Sequence, residues 1–221
     1  GGVPKEKLAE ENLDALKNGI ANLGAHIDNM RLYGVPVVVA MNHFDTDTEA
    51  EIALVSAYCD QKGTPHAYSD VFAKGGAGGI ELAKTVCDVI EKNEGATRFA
   101  PIYDTDSSIE EKIQIVAEKI YHAGHVAYTS AAKKAIRDIE PLGMDKLPIC
   151  VAKTQYSLSD DPKLLGAPSG FTITVKDVRV SAGARFIVVY TGAIMTMPGL
   201  PKVPAAERID VDENGVIDGL F

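Results

Sequence analysis

The chain has 221 residues, of which 46% are hydrophobic and 24% charged, and its formal net charge at pH 7 is −9. This composition is that of an ordinary globular protein, long enough for one large domain or two small ones. The acidic balance makes nucleic acid an unfavourable partner. No apolar run approaches the roughly 20 residues that cross a bilayer, and no secretory signal precedes the first helix, so no membrane partner is expected.

The three cysteines, Cys59, Cys87 and Cys150, are odd in number and have no C-x-x-C spacing. That pattern argues against a disulfide framework or a zinc site and favours a reducing cytoplasm. All three lie in apolar stretches, which predicts that they are core residues. The five histidines have no metal-binding spacing, so we expect no bound metal in this chain.

The first part of the chain predicts alternating helices and strands. The helices show apolar residues at three- and four-residue spacing, and the first strand is a β-branched run typical of a parallel strand buried on both faces. Asp47 or Thr48 can cap the second helix. The predicted order is helix, strand, helix, strand, helix, over residues 4–33, 35–42, 48–62, 65–72 and 80–93.

The second part becomes richer in strands. A helix capped by Ser108 and another ending near Pro141 precede three predicted strands, over residues 147–153, 171–180 and 185–192. A polar loop separates the first two of these strands, and the proline-rich tail is irregular. We therefore predict an α/β fold. Residues 1–145 would form a parallel sheet layered with helices, and residues 146–221 a smaller strand-rich part packed on it.

The stretch "VVVAMNHFDTDTEAE" contains the first candidate site. Asn42 and Asp45 have the N-x-x-D spacing with which many phosphate-loop NTPases read a nucleotide base, yet the chain has no G-x-x-x-x-G-K-[ST] sequence. Phe44 stands out, because an aromatic residue in an acidic turn needs something to pack on. The alternative is structural: Phe44 covers the end of the sheet while Asp45, Asp47 and Thr48 cap the following helix.

The glycine-rich stretch "FAKGGAGG", residues 72–79, is the second candidate. Its backbone N–H groups could approach an anion at a helix N-terminus, although a flexible turn explains the glycines equally well. Here too an aromatic residue, Phe72, stands beside a predicted strand end. Because the ends of parallel strands share one edge of a sheet, Phe44 and Phe72 could face each other across a planar ligand.

Several longer stretches resemble those of the formate–tetrahydrofolate ligases, in the same order and from Gly1 to Phe221. They are "YGVPVVVAMNHFDTDTEAE", "FAKGGAGGIELA", "EEKIQIVAEKIYHA", "LPICVAKTQYSLSDDP" and "GAIMTMPGLPKVPAA". In that family the phosphate loop lies in an N-terminal portion larger than this chain. The resemblance therefore implies a phosphate-loop NTPase-like fold and identifies this chain with the C-terminal portion of such a ligase.

The same resemblance implies an activity and a site. The family joins formate to tetrahydrofolate with ATP and Mg²⁺, through formyl phosphate, and holds the pterin between two aromatic rings that match Phe44 and Phe72. Supporting positions in the two segments are Asn42, Asp45, Lys74, Gly75 and Gly76. The catalytic residues are expected in the phosphate-loop portion. The expected partners of this chain are tetrahydrofolate and that portion of the same enzyme, and the enzyme is expected to be a homo-oligomer.

Two positions depart from the family pattern. Many members have Trp where this chain has Phe72, which leaves a smaller stacking face, and Asp45 stands where Pro often follows the first aromatic residue. Other interpretations stay open: a non-catalytic folate-binding module, a subunit of a split enzyme, or a nucleotide-binding regulatory domain that uses Asn42 and Asp45. We expect that the chain alone does not make 10-formyltetrahydrofolate, since nothing in it can hold the phosphates of ATP.

Overall fold

The computed structural model describes residues 1–192, 194 and 203–219, which form seven α-helices and three β-sheets. The helices are α1 Leu13–Gly19, α2 Ala21–Arg31, α3 Glu49–Gln61, α4 Val71–Lys74, α5 Ile80–Lys92, α6 Ile109–Lys119 and α7 Ser130–Ile139. The strands are β1 Val39–Asn42, β2 His66–Ser69, β3 His125–Tyr128, β4 Ile149–Ala152, β5 Thr172–Ser181, β6 Phe186–Thr191, β7 Asp210–Val211 and β8 Ile217–Asp218. Residues 195–202, in the proline-rich tail that the sequence predicts to be irregular, lie outside the described residues.

Strands β1 and β2 form a separate two-stranded parallel sheet in which Asn42 lies opposite Ser69. The sequence predicted a long strand over residues 35–42, buried on both faces. That prediction is wrong in two respects: β1 has only four residues, and its side chains alternate between half-buried and exposed. The alternation arises because one face of β1, that of Ala40 and Asn42, is left uncovered in the described part of the chain.

The larger sheet is mixed, with the order β3-β5-β6-β4. Strand β3 runs parallel to β5 and β4 parallel to β6, whereas β5 and β6 form an antiparallel pair. The fold is α/β, as predicted, but the sheet takes one strand from before residue 145 and three from after it. The expectation of one parallel sheet within residues 1–145 is therefore wrong, because β3 pairs with β5 instead of joining β1 and β2.

The main hydrophobic core lies where helices α6 and α7 cover the mixed sheet. Val175, Ile187 and Val189 have no exposed surface, and each contributes about 1.5–3 kcal/mol by leaving water. Around them lie further buried side chains from both helices: Ile109, Ile113, Ala132, Ile136 and Ile139. The three predicted strands of the second part and the two helices thus bury their apolar residues in one core.

Buried among these elements is one lysine. Lys112 on α6 is 0% exposed, and its ammonium group donates hydrogen bonds to the backbone carbonyls of Asp145, at 2.8 Å, and Leu147, at 3.1 Å. Burial lowers the pKa of this ammonium group, because the charged form loses solvation. The two bonds fix the connection that leads into β4.

Two helix starts agree with the sequence. The side chains of Thr48 and Ser108 each accept a hydrogen bond from the backbone N–H three residues later, while the carboxylates of Glu51 and Glu111 each accept one from the backbone N–H of the cap residue. These reciprocal bonds are capping boxes, which satisfy backbone donors that a helix start leaves unpaired.

The prediction of one long helix over residues 4–33 is wrong. A helix begins only at Leu13, because the Asn12 side chain accepts a hydrogen bond from Ala15 N–H at 2.9 Å and so caps a new start. It ends at Gly19, and α2 continues from Ala21. The periodicity of the apolar residues continues across this break, so spacing alone did not reveal it.

The cysteine prediction is also wrong for two of the three residues. Cys59 is fully buried, whereas Cys87 and Cys150 are exposed. Cys150 lies on β4, one of the two outer strands of the mixed sheet, and Cys87 on the exposed side of α5. Within the described part of the chain, every helix is too short or too polar to span a lipid bilayer.

Candidate binding site at the ends of the parallel strands

The carboxyl ends of β1 and β2 open into the two segments that the sequence singled out. The strands are parallel and in register, and the backbone N–H of His43 still donates to the Ser69 carbonyl at 3.0 Å beyond the last paired residues. Phe44 follows the end of β1 by two residues, and Phe72 follows the end of β2 by three. Both aromatic residues therefore belong to segments that leave the same edge of the sheet, where open α/β sheets bind ligands.

The first segment is a closed turn. Phe44 N–H donates to the Asp47 carboxylate at 2.9 Å, and Asp47 N–H donates back to the Phe44 carbonyl at 2.9 Å. Of the two caps suggested by the sequence, Thr48 caps α3 while Asp47 closes the turn before it. The Phe44 side chain is 62% exposed, so this turn presents the ring to solvent.

The second segment differs from its prediction. The sequence placed Phe72 at the end of a strand, but β2 ends at Ser69 and Phe72 lies in the single helical turn of α4. Residue Phe72 is 95% exposed. Phe72 therefore does not pack inside the described part of the chain, and the 62% exposure of Phe44 argues against the alternative in which that ring covers the end of the sheet.

The glycine-rich stretch packs closely against the start of α4. Gly75 has φ +57°, a backbone conformation that favours glycine, and a side chain at Gly78 would collide with the Asp70 carbonyl oxygen. Asp70 N–H donates to the Gly78 carbonyl at 3.0 Å, which closes the segment on itself. Gly76, in contrast, has open space around it. The close approach at Gly78 is a reason for glycine that the sequence did not reveal.

The structure also brings together side chains that the sequence reasoning missed. His43 Nδ1 lies 3.2 Å from Asp70 Oδ1, and Lys74 Nζ lies 2.6 Å from Asp70 Oδ2. The Asp70 residue is 9% exposed, and Lys74 and His43 together lower the pKa of its carboxyl group. The carboxylate in turn raises the pKa of Lys74. His43 and Asp70 are 27 residues apart, so no local spacing could have predicted this contact.

A cavity of about 350 Å³ lies beside β1, between α1 and α3. Its lining is apolar except for a few polar side chains near the strand end, which include Asn42, His43 and Tyr68. Asn42 thus reaches the cavity, whereas Asp45 is exposed on the turn and Phe44 and Phe72 are not part of the lining. The N-x-x-D pair is therefore not brought together around this cavity.

Among the residues that the structure describes, no three His, Cys, Asp or Glu side chains lie close enough together to hold a metal ion. A family model described as formate–tetrahydrofolate ligase matches residues 1–221, the whole chain. The match covers the same residues as the resemblance found in the sequence. This protein therefore belongs to the formate–tetrahydrofolate ligase family.

Proposed function

We propose that this chain supplies the tetrahydrofolate-binding side of a ligase that uses ATP to join formate to tetrahydrofolate through formyl phosphate. The observation that carries the proposal is the pair of exposed aromatic rings, Phe44 and Phe72, on segments that leave one edge of the parallel strand pair. Exposed rings of this size are unfavourable in water unless a ligand or partner covers them. The segments belong to the part of the chain we assign to residues 1–145.

A pterin is a planar heterocycle and fits between two such rings. Aromatic faces that enclose a third ring must stand about 7 Å apart, the upper end of ordinary ring separations. Stacking of a nucleic-acid base on an aromatic side chain is the nearest measured analogue and is worth about 1–3 kcal/mol per contact. The glycine segment, with Gly75 and Gly76, and the Lys74–Asp70 pair support the second ring.

The rest of the reaction is assigned to another part of the same enzyme. The sequence has no phosphate loop, and we assign no Mg²⁺ ligand to this chain, so ATP and the catalytic residues belong to a phosphate-loop portion. Binding of the folate here positions its amine for attack on formyl phosphate and keeps water from that reactive anhydride. Positioning and exclusion of water are the contributions of this chain.

The open edge of β1 supports such a partner. Val39 and His43 donate their N–H groups to the β2 side, so the peptide groups of Ala40 and Asn42 face the opposite edge. Parallel strands are ordinarily covered on both sides, and an unpaired edge can accept a further strand. We propose that the phosphate-loop portion adds a strand there and that the complete enzyme is a homo-oligomer.

The test is a titration of this chain with tetrahydrofolate and, separately, with ATP and GTP. We expect binding of the folate and a loss of affinity in Phe44→Ala. The matched control is Phe99→Ala, which removes another phenyl ring that is 67% exposed, away from the site. A preference for purine nucleotides that depends on Asn42 and Asp45 would favour the regulatory alternative. Robust synthesis of 10-formyltetrahydrofolate by this chain alone would contradict the assignment of ATP binding and catalysis to a separate phosphate-loop portion.

A further inference from the structure

We propose that Asp70 is a positioning residue of the folate site, which holds the Phe44 and Phe72 segments at a fixed separation through its hydrogen bond to His43. The inference rests on the proposed function and adds to it a residue that neither the sequence motifs nor the family match assigns. It concerns how the two rings are held, not which groups touch the folate.

The Asp70 residue uses both its backbone and its side chain to connect the two segments. Its N–H donates to the Gly78 carbonyl at 3.0 Å, and its own carbonyl accepts from Lys74 N–H at 2.9 Å, so the backbone holds the glycine segment and α4. One carboxylate oxygen then lies 2.6 Å from Lys74 Nζ, and the other 3.2 Å from His43 Nδ1. The last of these bonds crosses from the β2 segment to the β1 segment.

The crossing bond lies immediately beside both rings. His43 directly precedes Phe44 in the chain, and Asp70 precedes Phe72 by two residues. Because each bonded residue lies within two positions of a ring-bearing residue, a shift of the crossing bond moves the backbone that carries each ring. A stacked ligand tolerates little change in the gap between its two walls, because attraction between aromatic faces falls quickly with distance.

The chemistry of the pair fixes the imidazole as well. The pKa of the Asp70 carboxyl group is lowered, so near neutral pH the group is a carboxylate that can only accept hydrogen bonds. The bond to Asp70 therefore places the hydrogen of a neutral His43 on Nδ1. The ring is further held against Tyr68, with 4.8 Å between the ring centroids. Asn at position 70 cannot accept from both His43 and Lys74, because its side-chain amide has one accepting oxygen and one donating nitrogen.

The chain offers a matched control at the other end of the same strand. His66 opens β2, and its Nδ1 lies 3.9 Å from Asp60 Oδ1. That pair also joins a strand to a neighbouring element, but it lies at the end of β2 away from both rings. The Asp60 side chain is 76% exposed, against 12% for Asp70. Asp60→Asn therefore makes the same chemical change in a His–Asp pair without touching the folate segments.

The experiment compares tetrahydrofolate affinity and melting temperature in the wild-type chain, Asp70→Asn, His43→Gln, the double variant and Asp60→Asn. We expect Asp70→Asn and His43→Gln each to weaken binding by roughly 10-fold, the value of one charge-assisted hydrogen bond. The double variant should bind about as weakly as Asp70→Asn alone, because Asp70→Asn already disrupts the His43–Asp70 bond that His43→Gln removes. Asp60→Asn should stay within about twofold of the wild type.

A second readout needs no ligand. With fluorinated phenylalanine at positions 44 and 72, Asp70→Asn should move both ¹⁹F resonances of the free chain, and Asp60→Asn should leave them in place. Unmoved resonances in Asp70→Asn, or equal loss of affinity in Asp60→Asn, would overturn the inference. If the wild type binds no tetrahydrofolate while the ¹⁹F resonances respond as expected, the proposed function fails and the positioning role stands.

Discussion

The mixed sheet and the β1–β2 sheet place their side chains in opposite ways. In the mixed sheet, Val175 and Val189 have no exposed surface and lie under two helices. At the parallel pair, Phe44 and Phe72 are 62% and 95% exposed, and β1 has one paired edge. The comparison indicates that the mixed sheet supplies stability, whereas the segments after the parallel pair leave their aromatic rings exposed, at the surface that we propose for the folate.

The largest expected effect tests the stabilising half. Ile187→Ala in β6 removes a side chain that is 0% exposed, and we expect it to lower the free energy of unfolding by about 2–5 kcal/mol. Denaturant unfolding measures the change, with Ile90→Ala on α5, where the residue is 62% exposed, as the control expected within about 0.5 kcal/mol. Folate affinity of the folded variant should match the wild type. Equal destabilisation by both changes would contradict the comparison.

The next effect tests the ligand surface. Phe72→Ala should weaken tetrahydrofolate binding by about 1–3 kcal/mol while changing the free energy of unfolding by less than about 0.5 kcal/mol, because the ring packs on little else. Calorimetric titration and a thermal melt on the same samples separate the two quantities. Phe72→Trp, with a larger stacking face, should bind equally well or more tightly. A destabilised Phe72→Ala chain with unchanged affinity would show that the ring belongs to the fold.

A smaller effect compares the two capping boxes. Ser108→Ala removes the cap of α6 at the mixed sheet and should cost about 1 kcal/mol of stability without altering folate affinity. Thr48→Ala removes the equivalent cap of α3 and should cost a similar amount, but it also loosens the turn that presents Phe44. Only this second variant is expected to lose folate affinity. Equal folate affinities in Ser108→Ala and Thr48→Ala would contradict the expectation that only the cap of α3 affects the ligand surface.

The smallest effect concerns pH. Glu51 accepts hydrogen bonds from the backbone N–H of Asn12 and of Thr48, which lower its pKa below the ordinary value of 4.5. Since the folded pKa is the lower one, this stabilisation is complete above pH 4.5 and is lost as pH falls through the folded pKa. Unfolding between pH 6 and 3 should show a steeper loss in the wild type than in Glu51→Gln. Parallel curves would mean that Glu51 contributes nothing.

Local sequence signals predicted much of this structure. The caps at Thr48 and Ser108, helix α5 and the strands β5 and β6 were confirmed, because each depends on neighbours in the chain. The errors arose where distant residues decide. The apolar periodicity around the first helix gives no sign of the competing cap at Asn12. Strand β3 pairs with β5, which lies more than 40 residues later in the chain.

The candidate site shows the same division. Phe44 and Phe72 could be singled out because each is an aromatic residue in an unusual local setting beside a predicted strand end. Asp70 could not, since its importance comes from His43 across the sheet and from the close approach of Gly78. The sequence contains the unusual local setting of an aromatic residue, whereas a contact between distant residues such as His43 and Asp70 forms only when the two strands lie side by side.

The buried Lys112 amine makes it possible to measure how often the core at the mixed sheet opens. Its amine is enclosed and holds two backbone carbonyls, so an acylating reagent can reach it only when the core opens. Lys74, with 68% of its side chain exposed, reacts from the folded state. The rate at which Lys112 becomes acylated, read by mass spectrometry against Lys74 in the same molecule, would therefore count openings of the core in the native protein.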